Sequence, residues 1–271
     1  MKTNVLRTPV SYYGGKQKLV TTILPLIAAH KMYCEPFVGG AAIFFAKQPS
    51  LIEVINDTNK ELINFYCMLQ NRFVELQRMV AVTLHSRSLH KDAQVVYQFP
   101  HLFDEIKRAW AVWVLSTQSF SAMLDGSFGY DKTDNTTTKK ITNKRNQFTE
   151  EYAIRLQNVQ VECADALYVI SSRDTINTFF YVDPPYFNSD CGHYDGYSEQ
   201  DFENLLKLLA GIKGKFMLSS YPSALLKQYT KAHGWQNRAF ESGVSVNAKG
   251  GYMKRKTEMI TGNYDLNKPG L

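Results

Sequence analysis

The sequence predicts an α/β fold with a mostly parallel sheet, and two observations lead to this prediction. Short apolar segments rich in β-branched or aromatic residues, at 51–55, 178–182 and 215–219, alternate with segments of helical periodicity. A helix-like segment rather than a second strand comes after each of them, which is typical of parallel sheets covered on both faces. Such sheets bind their ligands at the carboxyl ends of the strands, so functional residues are expected there.

The predicted helices have identifiable ends. Residues 59–70 form one helix, and Ser198 and Asp201 fit a capping box that begins another. A further helix is expected over 224–233, where Gly234 would end it. The residues expected to face inward from the first two helices are Leu62, Phe65, Leu69, Phe202, Leu205, Leu206 and Leu209.

The composition indicates a globular protein and leaves its function open. The chain has 271 residues, of which 44% are hydrophobic and 21% charged, so the disordered, collagen-like and coiled-coil classes are excluded. It carries 31 Lys and Arg against 25 Asp and Glu, a formal net charge of +6. Such a surplus suits a polyanionic partner, although many basic proteins bind none.

The cysteines and the N-terminal residues indicate the cellular compartment in which the protein is expected. The four cysteines form no C-x-x-C pair, so they indicate neither a zinc knuckle nor a disulfide framework, and no metal site is expected. The N-terminal residues lack the apolar core of a signal peptide, and no apolar run reaches membrane-spanning length. The expectation is a protein of the reducing cytoplasm.

The alternation of strands and helices is interrupted between residues 71 and 150. Helix-like stretches at 73–84 and 103–115 lead to Asp125-Gly126, a dipeptide typical of hairpin turns. A basic run without a negative charge follows, and its cations are Lys139, Lys140, Lys144 and Arg145. Such a run is either a solvated, flexible surface loop or a segment that contacts phosphates.

The strongest chemical signal follows the predicted strand at 178–182. Asp183 stands at its carboxyl end, and Pro184 and Pro185 then end the strand because proline lacks an N–H donor and fixes φ. The Asp183 carboxylate and the Pro184 carbonyl are two acceptors that suit a planar amino group. Tyr186 offers a face on which a base can stack. The alternative is a plain strand end with a proline turn and a core tyrosine.

Two further segments suit a nucleotide-like cofactor. Gly39 and Gly40 follow the short apolar segment 32–34, and paired glycines at a strand-to-helix turn let a ligand approach the backbone. Neither a G-x-G-x-x-G fingerprint nor a Walker lysine is present there, which disfavours NAD and ATP. Asp57 ends the next strand where a ribose-binding acid would lie, although it could also be a helix N-cap. Asp165 ends another strand-like segment, where helix capping is the plain alternative.

In their order along the chain, these motifs resemble those of the Dam-like α-group of DNA adenine methyltransferases. The segment at 12–16 is similar to the family's N-terminal motif, the segment at 35–40 to its cofactor loop, and the segment at 256–264 to its closing strand. Residues 183–186 match its catalytic motif. Two departures are Ala41, where the family's glycine pattern continues, and a Gly-Ser-Phe-Gly segment that matches the family's hairpin only loosely.

The resemblance implies a fold with defined domains. It predicts a Rossmann-like methyltransferase sheet in a catalytic domain formed by residues 1–70 and 151–271. Residues 71–150 would form a mostly helical target-recognition insert that carries a hairpin and binds DNA. The basic residues Lys139, Lys140, Lys144 and Arg145 would contact phosphates there. A second basic cluster, at 249–256, is also expected to face DNA.

The resemblance also implies an activity, in which S-adenosylmethionine methylates the exocyclic amine of an adenine flipped out of double-stranded DNA. A restriction endonuclease acting on the same site is a possible partner. The implied catalytic residues are Asp183, Pro184, Pro185 and Tyr186. The implied cofactor-binding residues are Tyr12, Gly14, Lys16, Glu35, Pro36, Phe37, Gly39, Asp57, Asp165 and Asp183, with Asp57 at the ribose and Asp165 at the cofactor's adenine.

Three questions stay open from the sequence. Methylation of cytosine-N4 in DNA, or of adenine in RNA, would need an amine of similar geometry. A DNA-binding relative without activity is the alternative from another class. It is also open whether Asp183 removes a proton or only accepts a hydrogen bond.

Overall fold

The computed structural model describes residues 5–188, 196–243 and 255–267, and within them the strands form one sheet. The strands are β1 (Met32–Glu35), β2 (Ile52–Asn56), β3 (Val159–Glu162), β4 (Thr178–Val182), β5 (Lys215–Ser220), β6 (Gln236–Gly243) and β7 (Arg255–Gly262). Their order in this seven-stranded sheet is β3-β2-β1-β4-β5-β7-β6. The apolar segments that predicted strands at 32–34, 51–55, 178–182 and 215–219 all form strands, within one residue at either end.

The sheet is parallel in its centre and antiparallel at one edge. β1 pairs with β4 and β4 with β5 in parallel, whereas β7 runs antiparallel to both β5 and β6. The predicted closing strand is therefore β7, which lies between β5 and the edge strand β6. The α/β class and the Rossmann-like sheet are confirmed, and the pairs β1-β4 and β4-β5 are parallel as predicted.

Helices connect most of the strands. They are α1 (Val20–Ile23), α2 (Ala42–Ala46), α3 (Lys60–Asn71), α4 (Phe73–Ala81), α5 (Arg87–Gln98), α6 (Glu105–Gln118), α7 (Thr136–Asn146), α8 (Glu151–Leu156), α9 (Ala166–Arg173), α10 (Glu199–Gly211) and α11 (Ala224–His233). In the described ranges, none of these helices has the length and apolar character needed to cross a membrane.

One compact unit consists of Met1–Leu24, Val38–Pro49 and Ile55–Ala164. In its core, α6 packs against both α5 and α3. Leu62, Phe65 and Leu69, the residues expected to face inward from α3, are fully buried, and so is Trp113 of α6. The predicted inward face of this helix is therefore confirmed.

A second compact unit consists of Pro25–Phe37, Ser50–Val54 and Asp165–Leu271. Every residue of β4 is buried, as expected of an apolar strand in the middle of a sheet. The capping box predicted at the start of α10 is present, since the side chains of Ser198 and Asp201 each accept from the other's backbone N–H. Gly234 ends α11 in the left-handed conformation predicted for it.

The division into these two units follows other boundaries than the predicted insert at 71–150, so the extent of that insert stays a prediction. The turn around Asp125-Gly126 is less regular than a hairpin of two strands. Ser119 and Phe128 form a single antiparallel bridge. Between them, Ser121 and Ala122 both adopt positive φ, which shortens the ladder because consecutive left-handed residues turn the chain sharply.

The basic run is helical, and its interpretation as a flexible loop is wrong. It forms most of α7, which begins beside Asp131. The Asp131 carboxylate accepts hydrogen bonds from the backbone N–H and the hydroxyl of Thr137, which satisfies a donor of the first turn. Ile141 is buried and anchors the helix in the first unit. Polar composition concealed this helix because it has one buried apolar residue rather than a stripe.

We expect the ion pair between Glu61 of α3 and Arg108 of α6 to stabilise the first unit. The guanidinium donates to both carboxylate oxygens, at 2.9 and 2.7 Å, and the two side chains are only 11% and 24% exposed. Arg108→Ala should lower the free energy of unfolding by about 1–2 kcal/mol, because it leaves a largely buried carboxylate without its bidentate partner. Urea-induced unfolding measures this loss.

The matched control is Arg72→Ala. Arg72 also forms a bidentate pair, with Glu75, but these side chains are 40% and 52% exposed. Solvent screens an exposed pair, so this variant should unfold like the wild type. Equal losses in the two variants would show that burial does not distinguish the pairs.

Candidate functional site

The segment after β4 carries the candidate catalytic residues. β4 ends at Val182, and Asp183 follows at its carboxyl end, as predicted. Pro184 is buried and Pro185 half-buried, so the turn after the strand is packed as well as stiff. The Tyr186 hydroxyl returns toward the strand end and donates to Asp183 Oδ1 at 3.2 Å. The structure therefore brings Asp183 and Tyr186 together.

Two residues at the carboxyl end of β5 contact Tyr186, namely Ser219 within the strand and Tyr221 directly after it. The Ser219 hydroxyl lies 2.7 Å from the Tyr186 hydroxyl. The Tyr221 ring meets the Tyr186 ring edge-on, with centroids 4.5 Å apart. Burial, together with the negative charge of Asp183, raises the pKa of Tyr186 well above its usual range. Tyr186 is thus a neutral hydrogen-bond donor held from two sides.

The glycine turn after β1 brings its backbone close to Tyr12. Gly39 has φ +46°, and a Cβ on it would stand 3.1 Å from the Tyr12 ring. A Cβ on Gly40 would stand 3.1 Å from Tyr12 Cβ. Ala41, at the position where the resemblance departs from glycine, also has positive φ, 55°. Gly39 is therefore favoured as glycine by both its φ and the Tyr12 ring, a Cβ on Gly40 would press on Tyr12, and Ala41 holds its methyl group at some strain.

Asp57 fastens this turn to the end of β2. Its Oδ2 accepts from Gly39 N and its Oδ1 from Asn59 N, both at 3.0 Å. Asn59, not Asp57, is the N-cap of α3, so the capping alternative for Asp57 is wrong. Burial raises the pKa of the Asp57 carboxyl despite these bonds. A backbone bond from Thr58 also reaches this carboxylate. A carboxylate has about four lone-pair positions, so some acceptor capacity remains for a ligand hydroxyl.

Tyr12 lies against the same turn. Burial and the charge of Asp57 raise the pKa of its hydroxyl above the usual range. Asn59 donates from Nδ2 to the Tyr97 hydroxyl at 3.1 Å. Tyr12, Gly39, Asp57 and Asn59 therefore form one cluster in the first unit, which unites three of the predicted cofactor residues.

The other predicted residues of the N-terminal motif, Gly14 and Lys16, contact each other within the loop. Lys16 is buried and donates from Nζ to the Gly14 carbonyl at 2.8 Å. Gly14 has φ +71°, a conformation that favours glycine. The lysine thus has a structural partner within the loop that the resemblance assigns to the cofactor.

The predicted cofactor residues at the end of β1 belong to the second unit. Glu35 is buried and accepts from the Tyr33 hydroxyl at 2.6 Å. Burial and the charge of Glu35 raise the pKa of Tyr33 well above its usual range. Pro36 is buried and Phe37 half-buried. The Glu35 carboxylate is therefore oriented by a neighbouring residue of the same strand.

Asp165 is the N-cap of α9. Its Oδ1 accepts from Tyr168 N at 2.9 Å, and the residue is exposed. The capping interpretation is confirmed, while contact with a cofactor stays a prediction. In the first unit, the buried Asn56 amide exchanges two hydrogen bonds with the backbone of Ala164, at 3.0 and 2.9 Å.

The four basic residues of α7 differ in what they contact. Lys139 and Lys140 are exposed. Lys144 donates to the Thr8 carbonyl at 3.2 Å, and Arg145 to the Thr83 carbonyl at 3.2 Å. Burial, assisted by the neighbouring charge of Arg7, lowers the pKa of Lys144 to about 8. Phosphate contact by the four residues stays a prediction, and two of them already bind backbone carbonyls. In the cluster at 249–256, residues 249–254 lie outside the described ranges.

Sequence reasoning missed Ser219, Tyr221 and Asn59. A signal for the first two was available, since β5 was predicted as a parallel strand and its carboxyl end shares an edge with that of β4. The sequence places Asn59 only at the start of the helix expected over 59–70, where its side chain caps α3. Its second role, the bond to Tyr97, joins residues far apart in sequence and leaves no local pattern.

Comparison with known proteins gives relatives of low identity and high coverage. The chain is 25% identical over 283 residues to the type II methyltransferase M1.LlaDCHI of Lactococcus lactis subsp. cremoris, covering 96% of each chain. It is 26% identical over 292 residues to the modification methylase LlaI of Lactococcus lactis subsp. lactis. That match covers 98% of this chain and 44% of LlaI, so the chain spans less than half of that relative.

Among solved structures, a similarity is found to the precorrin-6y C5,15-methyltransferase of Geobacter metallireducens GS-15, with a TM-score of 0.40 and 9% identity. It covers 91% of this chain and 86% of that one.

A family model decides the classification. The model of the D12 class N6 adenine-specific DNA methyltransferases matches residues 12–239. The match begins at Tyr12 of the first motif and includes the glycine turn, Asp57, Asp165 and the Asp183–Tyr186 turn. This chain belongs to the D12 class of N6 adenine-specific DNA methyltransferases.

Proposed function

We propose that this enzyme transfers a methyl group from S-adenosylmethionine to the exocyclic amine of an adenine extruded from duplex DNA. The observation that carries the proposal is the turn after β4, where the Asp183 carboxylate stands at the strand end in hydrogen-bond contact with the hydroxyl of Tyr186. Adenine in DNA as the target class follows from the family. The cofactor, the extrusion of the base and the residue roles are our proposal.

The amine is oriented by two acceptors. The Asp183 carboxylate and the Pro184 carbonyl each accept one amine hydrogen, which draws the nitrogen lone pair out of conjugation with the ring. Acceptors fixed in advance favour charge that develops on the nitrogen during transfer. Asp183 acts first as a hydrogen-bond acceptor. Once the methyl group has left the sulfonium, the amine nitrogen is cationic and releases one proton, which Asp183 or solvent takes up, so no covalent enzyme intermediate is required.

Tyr186 offsets the cost of extrusion. Removing a base from the duplex costs a few kcal/mol of unpairing and unstacking, while stacking on an aromatic side chain contributes about 1–3 kcal/mol. The Tyr186 ring is suited to this because Ser219 forms a hydrogen bond with its hydroxyl and the Tyr221 ring packs against it. Little ring motion then remains to be lost when the base binds.

The glycine turn fits a nucleoside cofactor, since a Cβ at Gly39 would crowd the Tyr12 ring. When bound, S-adenosylmethionine supplies an electrophilic methyl group on its sulfonium. Asp57 would accept from ribose hydroxyls, and Asp165 would contact the cofactor's adenine. The other residues proposed to hold it are Tyr12, Gly14, Lys16, Glu35, Pro36, Phe37 and Asp183.

The biological setting follows from the substrate. Because the enzyme acts on DNA, we propose a cytoplasmic location in a bacterial or phage-infected cell. The relatives from Lactococcus lactis bear the names of type II and modification methylases. We propose by analogy that this enzyme protects sites that a cognate restriction endonuclease would cut.

Asp183→Ala should lower the methylation rate of duplex DNA by about 100- to 1,000-fold, the usual effect of removing one fixed hydrogen-bonding group from a transition state. Single-turnover methylation with radiolabelled S-adenosylmethionine measures the rate, and mass analysis of hydrolysed products identifies the modified base. Wild-type turnover by the variant would refute the assigned role. Detection of N4-methylcytosine, or faster methylation of RNA than of duplex DNA, would show that the proposed substrate is wrong. A urea-unfolding curve like that of the wild type controls for folding.

Gly39→Ala should weaken S-adenosylmethionine binding by about 5- to 30-fold. An alanine at φ +46°, 3.1 Å from the Tyr12 ring, costs about 1–2 kcal/mol and shifts the turn. Titration calorimetry measures the affinity. The control is Gly211→Ala, at the end of α10, where a Cβ meets nothing within 4 Å. No binding by the wild type would favour a DNA-binding relative without activity, and equal affinities of the two variants would contradict the role of the turn.

Lys139→Gln combined with Lys140→Gln should weaken DNA binding and reduce the slope of log affinity against log salt by about 1.8, since each lost phosphate contact removes about 0.9. Fluorescence anisotropy over a range of salt concentrations gives the slope. Lys213→Gln with Lys215→Gln is the control, because these exposed lysines lie at the amino end of β5, away from the ligand-binding edge. An unchanged slope in the first variant would contradict phosphate contact.

A further inference from the structure

We propose that Ser219 is a positioning residue for methyl transfer, and that it acts through the Tyr186 hydroxyl on the Asp183 carboxylate. The proposal rests on the proposed function for the reaction it would affect. Its structural core, a chain of hydrogen bonds from Ser219 through Tyr186 to Asp183, is independent of that function and is tested separately below.

Strand pairing places Ser219 beside the catalytic turn. β4 and β5 are parallel, and Val182 pairs with Leu218. The next residues along the two strands are Asp183 and Ser219, so both reach the same edge of the sheet. Ser219 is 0% exposed. Its hydroxyl is therefore a fixed feature of the second unit rather than a solvated surface group.

The direction of the hydrogen bonds follows from the number of protons. A tyrosine hydroxyl has one proton to donate, and an ionised carboxylate can only accept. Tyr186 donates to Asp183 Oδ1 at 3.2 Å. The 2.7 Å bond between the two hydroxyls is then donated by Ser219 and accepted by Tyr186.

This chain of bonds has two effects on the catalytic residues. The serine proton polarises the tyrosine hydroxyl and so strengthens its bond to the carboxylate. The bond to Oδ1 fixes the rotation of the carboxyl plane, which decides where the acceptor lone pairs point. The same 2.7 Å contact, with the Tyr221 ring centroid 4.5 Å from that of Tyr186, fixes the tilt of the Tyr186 ring.

Ser220 provides a matched comparison on the same strand. It is 3% exposed, so it is nearly as buried as Ser219. Successive residues of a strand point to opposite faces of the sheet, and within the ranges that the structure describes the Ser220 hydroxyl has no hydrogen-bond partner. The two serines thus differ in the one contact on which the proposal depends.

Single-turnover methylation of duplex DNA is the first test. Ser219→Ala should lower the rate constant at saturating substrates about 3- to 10-fold, the effect of one hydrogen bond, with KM for DNA within about twofold of the wild type. Ser220→Ala should match the wild type. In Tyr186→Phe, which lacks the linking hydroxyl, adding Ser219→Ala should cause no further loss. Equal rates in the two serine variants, or independent losses in the double variant, would overturn the proposal.

Carbon NMR of protein labelled at tyrosine Cζ is the second test, and it needs no substrate. The Tyr186 signal is identified by its absence in Tyr186→Phe. We expect it to shift in Ser219→Ala and to stay in place in Ser220→Ala, because Cζ responds to hydrogen bonds at the hydroxyl. A Tyr186 signal unmoved in Ser219→Ala would overturn the proposal. If the signal shifts in Ser219→Ala but the wild type methylates no nucleic acid, the hydrogen-bond chain stands and the proposed function is contradicted.

Discussion

The parallel pairing of β4 with β5 is the constraint on which the candidate catalytic residues depend. Backbone hydrogen bonds fix the register, so Asp183, directly after β4, lies beside Ser219 of β5. Pro184 and Pro185 then prevent the chain from continuing along the sheet. The turn brings Tyr186 back over the two strand ends, where its hydroxyl meets both of them. A shift of one residue in this register would turn every side chain of the strand to the other face.

The glycine turn of the first unit follows a related principle. Here the end of β2 supplies the carboxylate of Asp57, which accepts from the backbone of Gly39 and of Asn59. Tyr12 occupies the space that side chains on these glycines would need, with its ring at Gly39 and its Cβ at Gly40. In both clusters an acidic residue at a strand end is oriented by bonds that its own surroundings provide, before any ligand binds. Such orientation lowers the entropy that binding would otherwise cost.

Much of the fold could be predicted because it depends on local patterns. Apolar runs gave the positions of β2, β4 and β5, and the Ser198 capping box gave the start of α10. The helix α7 could not be predicted in this way, because it has one buried isoleucine instead of the usual apolar stripe. Its first turn is bound by the Asp131 carboxylate through Thr137. At the site, the identities of Asp183, Tyr186 and Asp57 were readable from order and spacing. Ser219 could be placed near Asp183 and Tyr186 only through the predicted parallel strand β5. The bond from Asn59 to Tyr97 could not be predicted, because it joins distant segments and leaves no trace in the adjacent sequence.

The helix α7 also shows how a formal count of charge differs from the charge that a partner meets. Lys144 and Arg145 direct donors to carbonyls of Thr8 and Thr83 and thereby link the helix to two distant segments of the first unit. Lys139 and Lys140 remain at the surface. Two of the four cations in the run are therefore bound to the protein's own backbone, and the other two are left exposed at the surface, so the formal charge of the run overstates the charge that is accessible from outside.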